Sequence, residues 1–280
     1  MGVQRIYTPN AAYQKFEVLK TNRNKRYRYR QFFVEGVRNI NEAVENGWTI
    51  DSFIYSFEKR LSDWAGNLLQ QVPTQLNYEL TTGLMAEISG KTDTSEICTI
   101  VRMRQLSLPD LPSGEIPLLV LFDRPANKGN LGTVIRSCDA LGVDALVITG
   151  HAVDLYDPET VGASMGSLFK LPVLAEPDQA AVRDWIGDLR QRHAGFRVVG
   201  TSAHADRNID DADLTQPCLL VIGNETEGMS NYYYSICDEL VRIPMAENCV
   251  ATSLNVACAA TVILYEATRQ RKNRQTGPDQ

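Results

Sequence analysis

The chain has 280 residues, 44% hydrophobic and 22% charged, which is enough for one large or two ordinary domains with true cores and too apolar for a disordered polypeptide. Its 28 basic and 34 acidic residues leave a formal net charge of −6, which excludes a protein that coats nucleic acid indiscriminately but leaves room for a local basic face. It has no run of about 18 apolar residues and its N-terminus lacks the charged-then-apolar order of a secretory signal, so a cytoplasmic protein with no membrane span is expected.

The local basic face comes early. Between Lys15 and Arg38 the charges are overwhelmingly positive, and Tyr27 and Tyr29 interleave with Arg26, Arg28 and Arg30, with Arg23 just before them. Arginines contact phosphates and tyrosines stack on unpaired bases, a combination suited to single-stranded or loop RNA. The structural alternative is a solvated, flexible basic segment. A strand at 31–36, an amphipathic helix at 37–47 closed by Gly47, and a strand at 52–56 follow, the alternation of a small α/β domain. Pro109, Pro112 and Pro117, with Ser113 and Gly114 between them, mark a linker. The expected domains are 1–108, a linker at 109–117, a second domain at 118–272 and a flexible tail at 273–280. Within the second domain, strands are expected at 118–122, 145–148, 197–200, 218–222 and 240–243. Helices are expected at 131–141, 180–192, 231–239 and 253–271. Short apolar runs alternating with helices imply a parallel sheet covered on both faces, with ligands at the C-terminal ends of its strands.

Three loops in this domain carry residues with chemical potential. After the first strand, 125–136 holds Gly129, Gly132 and Asn130, which stands where a helix N-cap is expected. Arg136 lies six residues further on, flanked by apolar Val134, Ile135 and Leu141, a setting in which arginine usually pairs with a carboxylate or a phosphate. This is neither a GK[ST] phosphate loop nor a GxGxxG dinucleotide fingerprint, which removes nicotinamide-dependent chemistry. After strand 218–222, the turn from Gly223 to Gly228 holds Glu225 and Glu227, suited to general acid or base work, to metal ligation or to turn formation. Third, Ile243, Pro244 and Met245 offer an apolar wall of the kind an adenine ring accepts, ahead of Ser253, Leu254 and Asn255. Ser253 can cap the last helix, whereas Asn255, placed one turn in, has no capping explanation. The three histidines and six scattered cysteines show no metal-ligand spacing, so no metal is expected.

Taken in order, these segments resemble the three signature motifs of the SpoU (TrmH-like) branch of the SPOUT RNA methyltransferases, over about residues 118 to 271. Asn130, Gly132, Arg136 and Gly142 match the first motif, and Gly223, Glu225 and Gly228 the second. The third matches at Ile243 to Met245 and Ser253 to Asn255, and the segments at 33–36 and 84–89 resemble the family's substrate-binding domain. The resemblance implies an α/β fold with a parallel-sheet domain, a deep trefoil knot in its C-terminal segment and a smaller N-terminal α/β domain. It implies a homodimer and S-adenosylmethionine as methyl donor, contacted at Thr201, Gly223, Ile243, Met245 and Leu254. The implied reaction is methylation of a ribose 2′-hydroxyl, with Arg136, Asn130, Glu225, Ser253 and Asn255 as the catalytic group and Arg23, Arg26, Arg28 and Arg30 on the RNA. The paired small domain favours ribosomal RNA, as in antibiotic-resistance methyltransferases of this layout, over transfer RNA. The alternatives are a base methyltransferase of another SPOUT branch, against which the turn at Ser253, Leu254 and Asn255 argues, and a catalytically silent RNA-binding protein of the same fold. The sequence departs from the family in a longer loop at 246–252, and in the absence of a basic residue just before Ser164 in the Ser164-Met165-Gly166 segment.

Overall fold

The structure, a computed structural model, describes residues 2–89 and 93–275. The chain forms two compact units: Met1–Gln105 together with Asp154–Lys170, and Leu106–Val153 together with Leu171–Gln280.

In the first unit, strands β1 (Gly2–Ile6), β2 (Gln31–Glu35), β3 (Ile50–Ser56), β4 (Leu76–Leu80) and β5 (Ile97–Arg102) form one sheet in the order β1-β4-β3-β5-β2. The β1, β4 and β3 strands run parallel, whereas β5 pairs antiparallel with both β3 and β2. The sequence gives no alternating signal for β1 because it is an edge strand whose residues are exposed up to Ile6. The basic stretch is not a flexible segment. Asn10 accepts from the amides of Ala12 and Tyr13 at 3.0 and 3.1 Å and opens helix α1 (Ala11–Thr21). Asn22 follows and accepts from Lys25 N at 3.1 Å, opening α2 (Arg23–Tyr29). Helices α3 (Val37–Glu45), α4 (Asp63–Gln71) and α5 (Thr82–Ser89) complete the run. Tyr13, Phe16 and Leu19 of α1 bury against Phe33, Ile54 and Ile100, the apolar stripe that turns a polar-looking segment into core.

The second unit begins with β6 (Leu118–Asp123), α6 (Lys128–Ala140) and β7 (Ala145–Thr149). The segment Asp154–Lys170, which holds α7 (Pro158–Ser164) and α8 (Ser167–Lys170), belongs to the first unit. The chain then supplies β8 (Val173–Glu176), α9 (Gln179–Arg192), β9 (Arg197–Thr201), β10 (Arg207–Asn208), β11 (Cys218–Ile222), α10 (Asn231–Ile236), β12 (Glu239–Arg242) and α11 (Val256–Gln275). Among the described residues the strands make one parallel sheet in the order β10-β12-β9-β11-β6-β7-β8. Every residue of β6, β7 and β11 is buried, as a sheet covered on both faces requires. The mixed α/β class with a parallel sheet is as expected.

The last helix begins later and ends later than its apolar run suggests. It starts at Val256 and reaches Gln275, because Arg271 anchors its end by donating to the carbonyls of Leu214, Ile116 and Gln216 at 2.9, 2.8 and 2.7 Å. Of the tail expected at 273–280, residues 273–275 are helical and 276–280 lie outside the described residues.

Candidate active site

The site is built at the C-terminal ends of β9, β11 and β12, where a parallel sheet presents its loops. β11 ends at Ile222, and Gly223 then packs so tightly that a Cβ there would lie 2.3 Å from Met229 N and 2.4 Å from the Gly228 carbonyl carbon. Glycine is therefore dictated by space. The turn that follows closes on itself through Asn224 N to Gly228 O at 2.9 Å and Gly228 N to Asn224 O at 3.1 Å. The Asn224 side chain accepts from the amides of Thr226 and Glu227 at 2.8 and 3.0 Å, and Gly228 takes a left-handed φ of 69°.

Beside this turn, and in the same unit, a cavity of about 830 Å³ is lined by Thr201, Gly223, Ile243, Met245 and Leu254. The five residues expected to contact the methyl donor thus face one space. Thr201 is fixed by donating its hydroxyl to Val221 O at 2.9 Å. Glu225 and Ser253 lie on the cavity wall as well, and Glu247 from the longer loop joins its rim.

Glu225 is also the centre of a polar network. Its carboxylate accepts from the amides of Ala126 and Asn127 at 2.9 and 3.1 Å and from Asn130 Nδ2 at 3.2 Å. Asn130 Oδ1 in turn accepts from Asn255 Nδ2 at 3.2 Å. Three loops distant in sequence are thereby joined where α6 begins, and a carboxylate placed before a helix is favoured by the helix dipole.

Two capping assignments need correction. Asn130 is not the cap of α6: Asn127 is, accepting from Asn130 N at 2.9 Å, which leaves the Asn130 side chain free for Glu225 and Asn255. Ser253 does not cap the last helix. Asn255 does, its Oδ1 accepting from Ala257 N at 2.9 Å and Cys258 N at 3.3 Å. Asn255 therefore serves both the helix and the network.

Arg136 also differs from its expected setting. On α6 the residues Leu131, Gly132, Val134, Ile135 and Cys138 are buried, and the helical period turns Arg136 outward with Thr133. It is exposed, makes no hydrogen bond or ion pair among the described residues, and does not line the cavity. Ser137, next to it, bonds Thr261 Oγ1 at 2.7 Å and holds α6 against α11.

In the first unit, Arg23, Arg28 and Arg30 are exposed, whereas Arg26 is 1% exposed and cannot face RNA as expected. Its guanidinium pairs with Asp154 at 2.6 Å and Asp157 at 3.2 Å and donates to Leu19 O and Lys20 O, both at 2.9 Å. The helical period that turns its neighbours outward turns Arg26 in. Tyr27 and Tyr29 are 41% and 42% exposed, with Arg23 over the first ring at 5.7 Å and Lys15 over the second at 5.3 Å.

The SpoU rRNA Methylase family profile matches residues 117–265, and the SpoU L30e-like domain matches 10–98. A 23S rRNA (uridine(2479)-2′-O)-methyltransferase of Streptomyces viridochromogenes is 45% identical over 276 residues, 98% of this chain and 95% of the relative. The chain belongs to the SpoU rRNA methylase family. As a family member it is an RNA methyltransferase that uses S-adenosylmethionine. Among solved structures, the SpoU methyltransferase AviRb from S. viridochromogenes in complex with AdoMet superposes with a TM-score of 0.89 at 45% identity, covering 94% of this chain and 99% of that one. An AdoMet-bound rRNA methyltransferase from Sinorhizobium meliloti gives 0.81 at 28% identity, covering 95% and 98%. The SpoU motifs point to Asn130, Glu225 and Asn255 but not to Asn127, Asn224 or Arg124, which hold the same turns in place. Only the Asx-turn potential of the two asparagines gives a signal for them.

Proposed function

We propose that this chain methylates a ribose 2′-hydroxyl of 23S ribosomal RNA, with a uridine as target, in the cytoplasm and as a homodimer. The observation that carries the reading is the meeting, at one turn, of the cavity wall at Gly223 and the network of Asn130, Glu225 and Asn255. The S. viridochromogenes relative, named for a uridine 2′-O target and similar over 98% of this chain, supports the substrate.

The cavity fits S-adenosylmethionine. Ile243 and Leu254 give apolar surface for an adenine ring, and the absence of a side chain at Gly223 leaves backbone groups to define the wall. When bound, the cofactor supplies an electrophilic methyl on a sulfonium. The remaining task, presenting a ribose oxygen and stabilising it as its proton leaves, falls to the protein. A guanidinium is always protonated and makes a poor base, so Arg136 holds the phosphate beside the target ribose and stabilises the developing alkoxide. Asn130, Glu225, Ser253 and Asn255 orient the substrate. The outward Arg136 supports a site completed by the α6 of a second copy. Arg23, Arg28 and Arg30 hold the RNA backbone. The reading includes a deep trefoil knot in the C-terminal segment, supported by the family match over 117–265. Among the described residues no helix is long and apolar enough to cross a membrane, and no cluster of ligands for a metal is present.

The test is incubation of the purified protein with methyl-labelled S-adenosylmethionine and, separately, 23S rRNA, 16S rRNA and transfer RNA. Label in 23S rRNA alone is expected. Label only in transfer RNA would overturn the substrate, and none in any RNA would favour a silent binding protein.

A further inference from the structure

We propose that Arg124 is a positioning residue for methyl transfer, clamping the turn that carries Glu225 against the start of α6. The inference rests on the methyltransferase reading above and assigns a role to a residue outside the three motifs.

Arg124 is one of three non-glycine residues with a left-handed backbone among the described residues, at φ 53°. Such a conformation is costly for a residue with a Cβ and persists only where the surroundings over-determine it. Here they do. Its amide donates to Thr149 O at 3.0 Å, and its carbonyl accepts from Asn224 Nδ2 at 2.7 Å. Its Nε donates to Asp123 Oδ2 at 3.2 Å, Nη1 to Glu227, and Nη2 to Gly228 O at 3.0 Å. Asp123 is itself 1% exposed and fixed by Ser230 N at 2.7 Å. The side chain lies over Gly150, where a Cβ would stand 2.6 Å from Arg124 Cγ.

Neither local structure needs this clamp. Asn127 caps α6 without it, and the acidic turn closes through its own Asn224–Gly228 backbone bonds. What Arg124 adds is the placement of one against the other. It grips both ends of the turn, at Asn224 and at Glu227 and Gly228, from a backbone that leads directly to the Ala126 and Asn127 amides bound by Glu225. A planar fork meeting a carboxylate and a carbonyl in fixed directions is a task for arginine and not for lysine.

The test uses the full chain with 23S rRNA and S-adenosylmethionine. Arg124→Ala is expected to lower kcat by about 10- to 100-fold, as misplacement of a catalytic group does. The KM for RNA and the cofactor Kd should change by less than kcat falls, because the turn that Arg124 grips is one side of the cavity while the Ile243 and Leu254 wall is untouched. Arg124→Lys should fall between, and it carries the test if the alanine variant does not fold. Combined with Glu225→Gln, Arg124→Ala should add less than about twofold to the loss, since both act through one contact. Unchanged kcat overturns the proposal. So does a loss shared equally by kcat, cofactor Kd and Tm, which is a structural role only, or a multiplicative double-variant loss. A wild type that methylates no RNA overturns the functional reading itself, and an active wild type with an Arg124→Ala variant of unchanged kcat overturns only the positioning role.

Discussion

Replacing Gly223 with alanine tests the geometry on which the cofactor assignment rests. The added Cβ would meet Met229 N at 2.3 Å, the Gly228 carbonyl carbon at 2.4 Å and Gly228 Cα at 2.8 Å. Carbon atoms rest about 3.5–4.0 Å apart, so the turn must recede by about 1 Å, and the obstacles are backbone atoms that no rotamer change can move. The Asn224–Gly228 bonds, at 2.9 and 3.1 Å, would then pass the ordinary limit of about 3.2 Å. Overpacking of this kind costs about 1–3 kcal/mol. At about 2–4 °C per kcal/mol for units of this size, the unfolding temperature should fall by about 2–12 °C. Because the same displacement moves the cavity wall, cofactor Kd should rise at least about tenfold, equivalent to about 1.4 kcal/mol. Calorimetry with and without S-adenosylmethionine reads both quantities. Gly162→Ala, on α7 with no atom within 4 Å of its Cβ, is the control and should be neutral or stabilise by about 0.5–1 kcal/mol. An unchanged Tm together with an unchanged Kd in Gly223→Ala would refute the reasoning.

Arg136→Ala should abolish methyl transfer in the labelling assay while isothermal titration finds cofactor affinity nearly intact; normal turnover would remove Arg136 from the mechanism. Arg26 and Arg28 should separate cleanly. Loss of the buried Arg26 removes the guanidinium that pairs with Asp154 and Asp157 and should cost about 3–5 kcal/mol in denaturant unfolding. Arg28→Ala should leave stability alone and lower the salt slope of RNA binding by about 1. A thiol reagent at pH 8 should modify the exposed Cys249 and Cys258 in the native protein, with Cys98, Cys138 and Cys218 reacting only on unfolding. Burial raises the Cys218 thiol from 9.0 to about 11, against the opposing pull of Arg271. The folded state therefore holds this proton more tightly than the unfolded chain, and the associated stability, complete below about pH 9, should be lost as pH rises towards 11. Native reaction of Cys218 at pH 8, or a stability flat through that window, would contradict its burial.

The parallel sheet was legible because strands such as Leu118–Asp123 and Cys218–Ile222 are apolar throughout, and only a sheet covered on both faces makes such runs. The cavity-lining residues were legible because glycine, proline and polar turns punctuate those runs at the right ends. Capping was not. Asn127 and Asn130 are both three residues or fewer from the helix start, and so are Ser253 and Asn255; which side chain turns back onto the amides depends on backbone angles that composition does not encode. Arg26 is illegible in the sequence for a different reason. Its partners Asp154 and Asp157 lie more than a hundred positions away, so an arginine in a basic run gives no sign of being an interior residue. The edge strand Gly2–Ile6 carries no sequence signal because its exposed residues need not be apolar.

The central claim is that the methyl group goes to a ribose oxygen. The direct measurement is nucleoside mass spectrometry of 23S rRNA methylated by the purified protein, digested completely to nucleosides. One new 2′-O-methylated nucleoside is expected, with its extra mass on the sugar fragment and absent with Arg136→Ala. Extra mass on the base fragment, in the wild type, would contradict it.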